Sequence, residues 1–211
     1  MQLISNHLYH IYNQGNNQEK LFYTNDNYVY FLRKIRAEVL PYGHILAWCL
    51  MPNHFHFLIG TDAKSIQKFQ FGNVEISRLS NAFRSIETSY TRAINKQENR
   101  SGSLFRQKTK AKCLTEEAFN FEDITQTYAP DFFNLYPSVC FNYIHQNPVK
   151  AGLVSKMEDW VFSSFQDYIG LRKGTLCNQE LAKRWVGIRE ADLNKDFPKP
   201  LSVEDISHIF E

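Results

Sequence analysis

Apolar and polar positions alternate along HLYHIYNQG (residues 7–15), and the run stops at Gly15, the pattern of a half-buried strand. Beyond it, Tyr28, Phe31, Leu32, Ile35 and Val39 recur at helical spacing. Asn25 or Asp26 can cap that helix, and Pro41 and Gly43 close it. HILAWCLM (44–51) and HFHFLIG (54–60) are apolar strands separated only by the turn residues Pro52 and Asn53. From about Ser65 to Gln97 the spacing is helical, and Gly72 is a break that would make two helices of it. SLFRQKTKAKCL (103–114) reads as a fourth strand after Gly102. Residues 114–135 are largely polar and acidic without a clean period, and are expected to be a loop or insertion. Pro137 suits the first turn of a helix running to about Asn147, where Pro148 disfavours further helix.

The order β-α-β-β-α-β, then a helix, predicts an α+β chain of ferredoxin-like type. Its antiparallel sheet would carry helices on one face, followed by a C-terminal helix and tail. A hairpin across Pro52 and Asn53 pairs Leu50 with Phe55, Trp48 with Phe57 and Leu46 with Ile59 on one face. The other face pairs Met51 with His54, Cys49 with His56 and Ala47 with Leu58. The first face is bulky and apolar and should receive the helices. The second sets two imidazoles among small or soft neighbours, where a pocket can open; a one-residue slip would exchange the two faces.

At 211 residues the chain is one domain with additions or two small ones. The sequence divides into a main domain over 1–170 and an acidic C-terminal extension over 171–211. No apolar window approaches the roughly 18 residues of a membrane span. The N-terminus lacks the basic start and apolar run of a secretory signal. Cys49, Cys113, Cys140 and Cys177 are scattered without a CxxC pair, which argues against a disulfide framework or zinc knuckle and makes the cytoplasm the expected location. The net charge of +2 hides a segregation: residues 61–115 carry 11 Lys or Arg against 4 acids, and 116–211 carry 9 against 15. The basic block, interleaved with aromatics, reads equally as a solvated helix face or as a nucleic-acid-binding surface.

His54 and His56 are two apart in a strand and share a face. Two imidazoles suit a divalent metal, but a lone pair also fits a structural or solvent-facing role. In CFNYIHQNPVKAGLV (140–154), Tyr143 and Asn147 are four apart and share a helix face. A phenol can be a nucleophile, and an amide oxygen can bind a hard cation. Tyr143 fits equally as a core residue, and Asn147 as the end of a helix. His145, two residues from Tyr143, points elsewhere and is read as non-catalytic.

Four stretches together resemble a known family. YHIYNQGNNQEKLF (9–22) resembles its opening strand and Asn-x-Gly-Asn loop, and LMPNHFHFLI (50–59) its paired-histidine strand. SRLSNAFRSIETSYTRAINKQENRSGSLFRQKTKA (77–111) resembles its long basic helix and Gly-x-Leu-Phe strand. YIHQNPVKAGLV (143–154) with DWVFSSFQDYIG (159–170) resembles its tyrosine helix and continuation. The family is the HUH single-tyrosine transposases of the insertion-sequence-200-like group, in particular the REP-associated tyrosine transposases. HxH alone is a weak signal; HxH, GSLF and YIxxNPVxAGLV in this order are specific. Residues 114–135 are longer than the family usually has there, and the tail beyond about residue 171 has no counterpart.

The resemblance implies that His54, His56 and Asn147 bind a divalent cation, Mg²⁺ or Mn²⁺, and that Tyr143 is the nucleophile. It implies cleavage of single-stranded DNA, often beside a hairpin or palindromic repeat end, through a 5′-phosphotyrosine that a free 3′ hydroxyl reverses. Arg106, Lys108, Lys110 and Lys112 alternate along the expected fourth strand and would line one face toward the DNA backbone. Arg84 and Arg92 on the preceding helix are further phosphate-contact candidates. Phe105 and Tyr90 can stack on bases, with a core role favoured for both. Members of the family act as monomers or as homodimers sharing site parts, and no membrane partner is expected. Two other readings are a domesticated, non-catalytic DNA-binding protein and a metal hydrolase of a small substrate.

Overall fold

A computed structural model of the chain describes residues 1–115 and 136–188. Apart from Leu114 and Thr115, the expected insertion lies outside the described residues, as does the extension beyond residue 188. In chain order the elements are β1 (Leu8–Gln14), α1 (Asn25–Glu38), the hairpin β2 (His44–Met51) and β3 (His54–Gly60), and the single turn α2 (Ala63–Ile66). They continue with the hairpin β4 (Lys68–Phe71) and β5 (Val74–Ser77), α3 (Arg78–Gln97), β6 (Lys110–Cys113), α4 (Tyr136–Lys150), α5 (Phe165–Tyr168) and α6 (Gln179–Val186).

β1, β2, β3 and β6 form one antiparallel sheet in the order β2-β3-β1-β6, the arrangement expected of the split βαβ pattern. One face is apolar because its strand positions are Ile11, Phe55 and Phe57, all buried. α1 and α3 cover it: Phe31 of α1 lies 5.4 Å from the Phe55 ring, and Phe83 of α3 lies 6.0 Å from Phe57. Tyr90 and Phe105 join this core at 0% and 4% exposure, which settles them as packing residues. The opposite face receives α4, the helix bearing Tyr143.

The β2–β3 register follows the expected pairing from Met51 with His54 to Ala47 with Leu58. It then shifts, so that Ile45 rather than Leu46 opposes Ile59, the irregularity of a β-bulge. Four further expectations are corrected. The first helix is capped by Thr24 rather than Asn25 or Asp26, because the Asn27 side chain accepts the Thr24 N–H at 3.1 Å. Residues 68–77 form a hairpin and not a helix: Gly72 adopts φ +58°, a left-handed turn, and the flanking Lys68 and Glu75 pair at 2.9 Å. The fourth strand is confined to 110–113, so Arg106 and Lys108 lie outside it. α4 runs through Pro148 to Lys150. So close to a helix end the proline removes only one intrahelical donor, and its own carbonyl still accepts the Leu153 N–H at 2.9 Å.

Two features frame the site from outside the sheet. Gly15 ends β1 so close to the next turn that a Cβ there would lie 2.0 Å from the Glu19 carbonyl oxygen; its N–H donates to the Asn53 carbonyl at 2.7 Å. This ties the Asn-x-Gly-Asn loop to the Pro52–Asn53 turn. On the far edge, residues 162–164 run beside β2, with Leu50 N–H on the Phe162 carbonyl and Ser164 N–H on the Trp48 carbonyl, each at 2.9 Å. Arg172 fastens this segment by donating to the Val161 carbonyl at 2.7 Å and to the Asp167 carboxylate at 2.5 Å. α6 packs Ala182 and Trp185 into the same core. All four cysteines are free, and among the described residues no helix is long and apolar enough to cross a membrane.

Candidate functional site

Strand pairing decides what shares the histidine face. β1 sets His10 opposite Leu58 and Tyr12 opposite His56, and β6 sets Lys112 opposite His10 and Lys110 opposite Tyr12. Directly paired residues project to the same side, so His10, Tyr12, His54, His56, Lys110 and Lys112 form one surface. α4 crosses it. The Tyr143 ring meets His56 edge-on at a centroid distance of 5.3 Å and His10 at 6.0 Å. Asn147, one turn later, donates from its amide to the Tyr143 carbonyl at 2.9 Å. Its amide also interacts with the His54 ring and the Tyr143 side chain. His54, His56, Tyr143 and Asn147, far apart in sequence, thus form one cluster within a single chain.

Local bonds fix the imidazoles. His54 Nδ1 lies 2.7 Å from Asn53 Oδ1, and the Asn53 amide nitrogen points to the Gln18 carbonyl at 3.4 Å. An amide oxygen only accepts, so His54 Nδ1 carries the proton and Nε2 keeps its lone pair. His56 Nδ1 lies 2.9 Å from His10 Nε2, while His56 Nε2 is buried with no hydrogen-bond partner among the described residues. Burial lowers the pKa of all three rings: His10 to about 3, His56 well below its ordinary value with help from the neighbouring His10 and His54, and His54 less, because Asn147 opposes the shift. Neutral imidazole, the metal-binding form, is therefore the form present at pH 7.

Tyr143 is 9% exposed, and burial pushes its phenol to about 12 against an opposing contribution from Asn147; Cys140, Tyr12 and Cys49 add to the rise. Lys150 places its ammonium 5.9 Å from the centre of the Tyr143 ring. Among the described residues no three His, Cys, Asp or Glu side chains converge on a metal-sized space. Beside His54 and His56, the Asn147 side chain brings a neutral amide oxygen to this cluster.

The basic candidates divide. Lys110 and Lys112 stand on the histidine face. Arg106 is held against the Gln14 amide, and Lys108 is exposed in the loop before β6. Arg84 and Arg92 belong to α3, across the sheet from the histidines. Arg84 lies 3.8 Å over the Phe71 ring and donates to Asn81 Oδ1 at 2.7 Å. His145 turns away from the cluster, as expected, and meets Ser164 Oγ at 2.8 Å. Sequence reasoning missed His10 and Lys150. The signals were present: His10 shares the two-residue period of the β1 face, and Lys150 lies seven residues after Tyr143 on the same helix side.

No protein-family model and no curated protein matches the chain. Among solved structures, a REP-associated tyrosine transposase bound to a REP hairpin is similar, with a TM-score of 0.51 at 18% identity over 81% of this chain and 83% of the other. The backbone likeness agrees with the fold that the motifs implied. Over most of its length, the chain carries the fold of a REP-associated tyrosine transposase, with the paired histidines, the tyrosine and the asparagine gathered on one side of its sheet.

Proposed function

We propose that this protein is a DNA transposase acting on single-stranded DNA, with Tyr143 as nucleophile and a divalent cation, Mg²⁺ or Mn²⁺, held by His54, His56 and Asn147. The observation that carries the reading is the Tyr143 ring standing 5.3 Å from His56, with Asn147 reaching His54 from the same helix. The donors fit a hard or borderline cation: two neutral imidazoles with Nε2 directed away from their Nδ1 partners, one of them buried without a hydrogen bond, and one amide oxygen. When bound, such a cation polarises the scissile phosphate and stabilises charge on its oxygens.

The chain's own residues supply the rest. Tyr143 Oη forms a bond to phosphorus as the bond to the 3′ oxygen breaks. The proton lost by the phenol is balanced by the one gained at the departing 3′ hydroxyl. A free 3′ hydroxyl reverses the step, because a phenol is a tolerable leaving group and the phosphodiester count is conserved. The helix holds Tyr143 in place with little freedom, which favours attack geometry. Lys150 near the ring and the Asn147 amide favour the phenolate against the burial that opposes it. Lys110 and Lys112 line the same face for phosphate contacts. The REP hairpin on the similar structure supports hairpin DNA as the substrate class.

The test is incubation of hairpin-bearing single-stranded DNA with the protein and Mn²⁺. A denaturant-stable protein–DNA adduct is expected from the native chain and none from Tyr143→Phe. No adduct on any hairpin from its genomic neighbourhood, or equal adduct from Tyr143→Phe, refutes the assignment and leaves non-catalytic DNA binding.

A further inference from the structure

Metal-binding histidines need their second ring nitrogen held, because that bond sets both tautomer and orientation. His54 obtains this bond from its neighbour in sequence, Asn53, at 2.7 Å. His56 has no such local partner. Its Nδ1 instead meets His10 Nε2 from the adjacent strand at 2.9 Å. The two are diagonal neighbours, since His10 pairs directly with Leu58 and Tyr12 with His56. His10 is fully buried and stacked on Tyr12 at 4.7 Å, so its ring has little room to turn.

We infer that His10 is a positioning residue for the proposed cation site: its Nε2 accepts the His56 Nδ1 proton and thereby aims the His56 Nε2 lone pair at the cation. Of the two ways to share one proton between these nitrogens, this one alone leaves His56 Nε2 with a lone pair, and that nitrogen is buried with no hydrogen-bond partner among the described residues. A protonated Nε2 cannot ligate. The inference rests on the cation reading above and adds a residue from outside the HxH strand and the tyrosine helix. It also accounts for a polar ring at 0% exposure in the middle of the sheet.

The experiment measures Mn²⁺ binding to the full chain without DNA, by calorimetry or by loss of the free-ion paramagnetic signal. Native protein is compared with His10→Phe, which keeps a ring but has no acceptor, and His10→Gln, whose amide oxygen reaches the position of Nε2. His54→Ala serves as the ligand control. Loss of a partner outside a ligand typically weakens metal binding about 10–100-fold, so His10→Phe should fall by that factor and His10→Gln should stay within about threefold of native. His10→Phe binding like native, or His10→Gln falling as far as His10→Phe, overturns the role of His10 while the His54→Ala loss keeps the cation site. Native protein that binds no Mn²⁺ overturns both. A second measurement needs no variant: long-range nitrogen–proton spectra of the metal-free native protein should show His56 protonated at Nδ1. An Nε2–H tautomer there overturns the inference.

Discussion

Lowering the pH from 7 to 5 should destabilise this fold by an amount that can be worked from two buried histidines. His10 and His145 are 0% and 1% exposed, and burial depresses both to about 3, against 6.5 in the unfolded chain. A depressed folded pKa means that the stabilisation is present above 6.5 and is lost as pH falls from there toward 3. At pH 5 the unfolded chain has bound nearly one proton at each site and the folded chain almost none. The difference is close to 1.5 units below 6.5, or about 2 kcal/mol per histidine. His54 and His56 shift the same way and add to the loss, while Glu87, raised by burial, acts oppositely and gains as pH falls. Urea unfolding of native protein and of His145→Gln at pH 7 and pH 5 isolates one site. Glutamine can still bond to Ser164 Oγ but does not titrate, so the pH-dependent loss should shrink by about 2 kcal/mol. An unchanged pH dependence in His145→Gln would refute the argument that burial, rather than the bond to Ser164, governs this ring.

Two further expectations follow from the placement of charge. Removing Lys110 or Lys112 should lower affinity for hairpin DNA and reduce the slope of log affinity against log salt by about 0.7 per lysine, the single-strand value; equal slope changes for Arg84→Ala would show that DNA also engages the α3 side of the sheet. Arg172→Ala should destabilise the domain by about 3 kcal/mol, because the Asp167 side chain, 1% exposed, loses its cation while remaining buried, and thermal melting checks this directly.

The local parts of this protein were legible in its sequence because they depend on near neighbours. Period-two alternation makes β1, and the two-residue turn at Pro52 and Asn53 sets the β2–β3 register as far as Ala47. Backbone geometry alone places His54 with His56 and Tyr143 with Asn147 on common faces. Sequence-local rules failed where a distant contact outweighed propensity. The apolar spacing through 65–97 fits a helix, yet KFQF and VEIS also alternate, and Arg78 and Arg84 stacking on Phe69 and Phe71 sides with the hairpin. Pro148 is tolerated in α4 because the helix ends soon after it.

Which surfaces meet depends on the packing of whole elements. Residue order alone established two short same-face pairs and a basic stretch, each compatible with a plain structural role. Docking α4 on the histidine face brought Tyr143 to His56, and placing β1 beside β3 brought His10 to the same ring. The same layering put Lys110 and Lys112 on that side of the sheet and α3, with Arg84 and Arg92, on the other. The physical reason is that a side chain's direction follows from a few backbone torsions, whereas its neighbours across a sheet follow from how whole faces bury their apolar area.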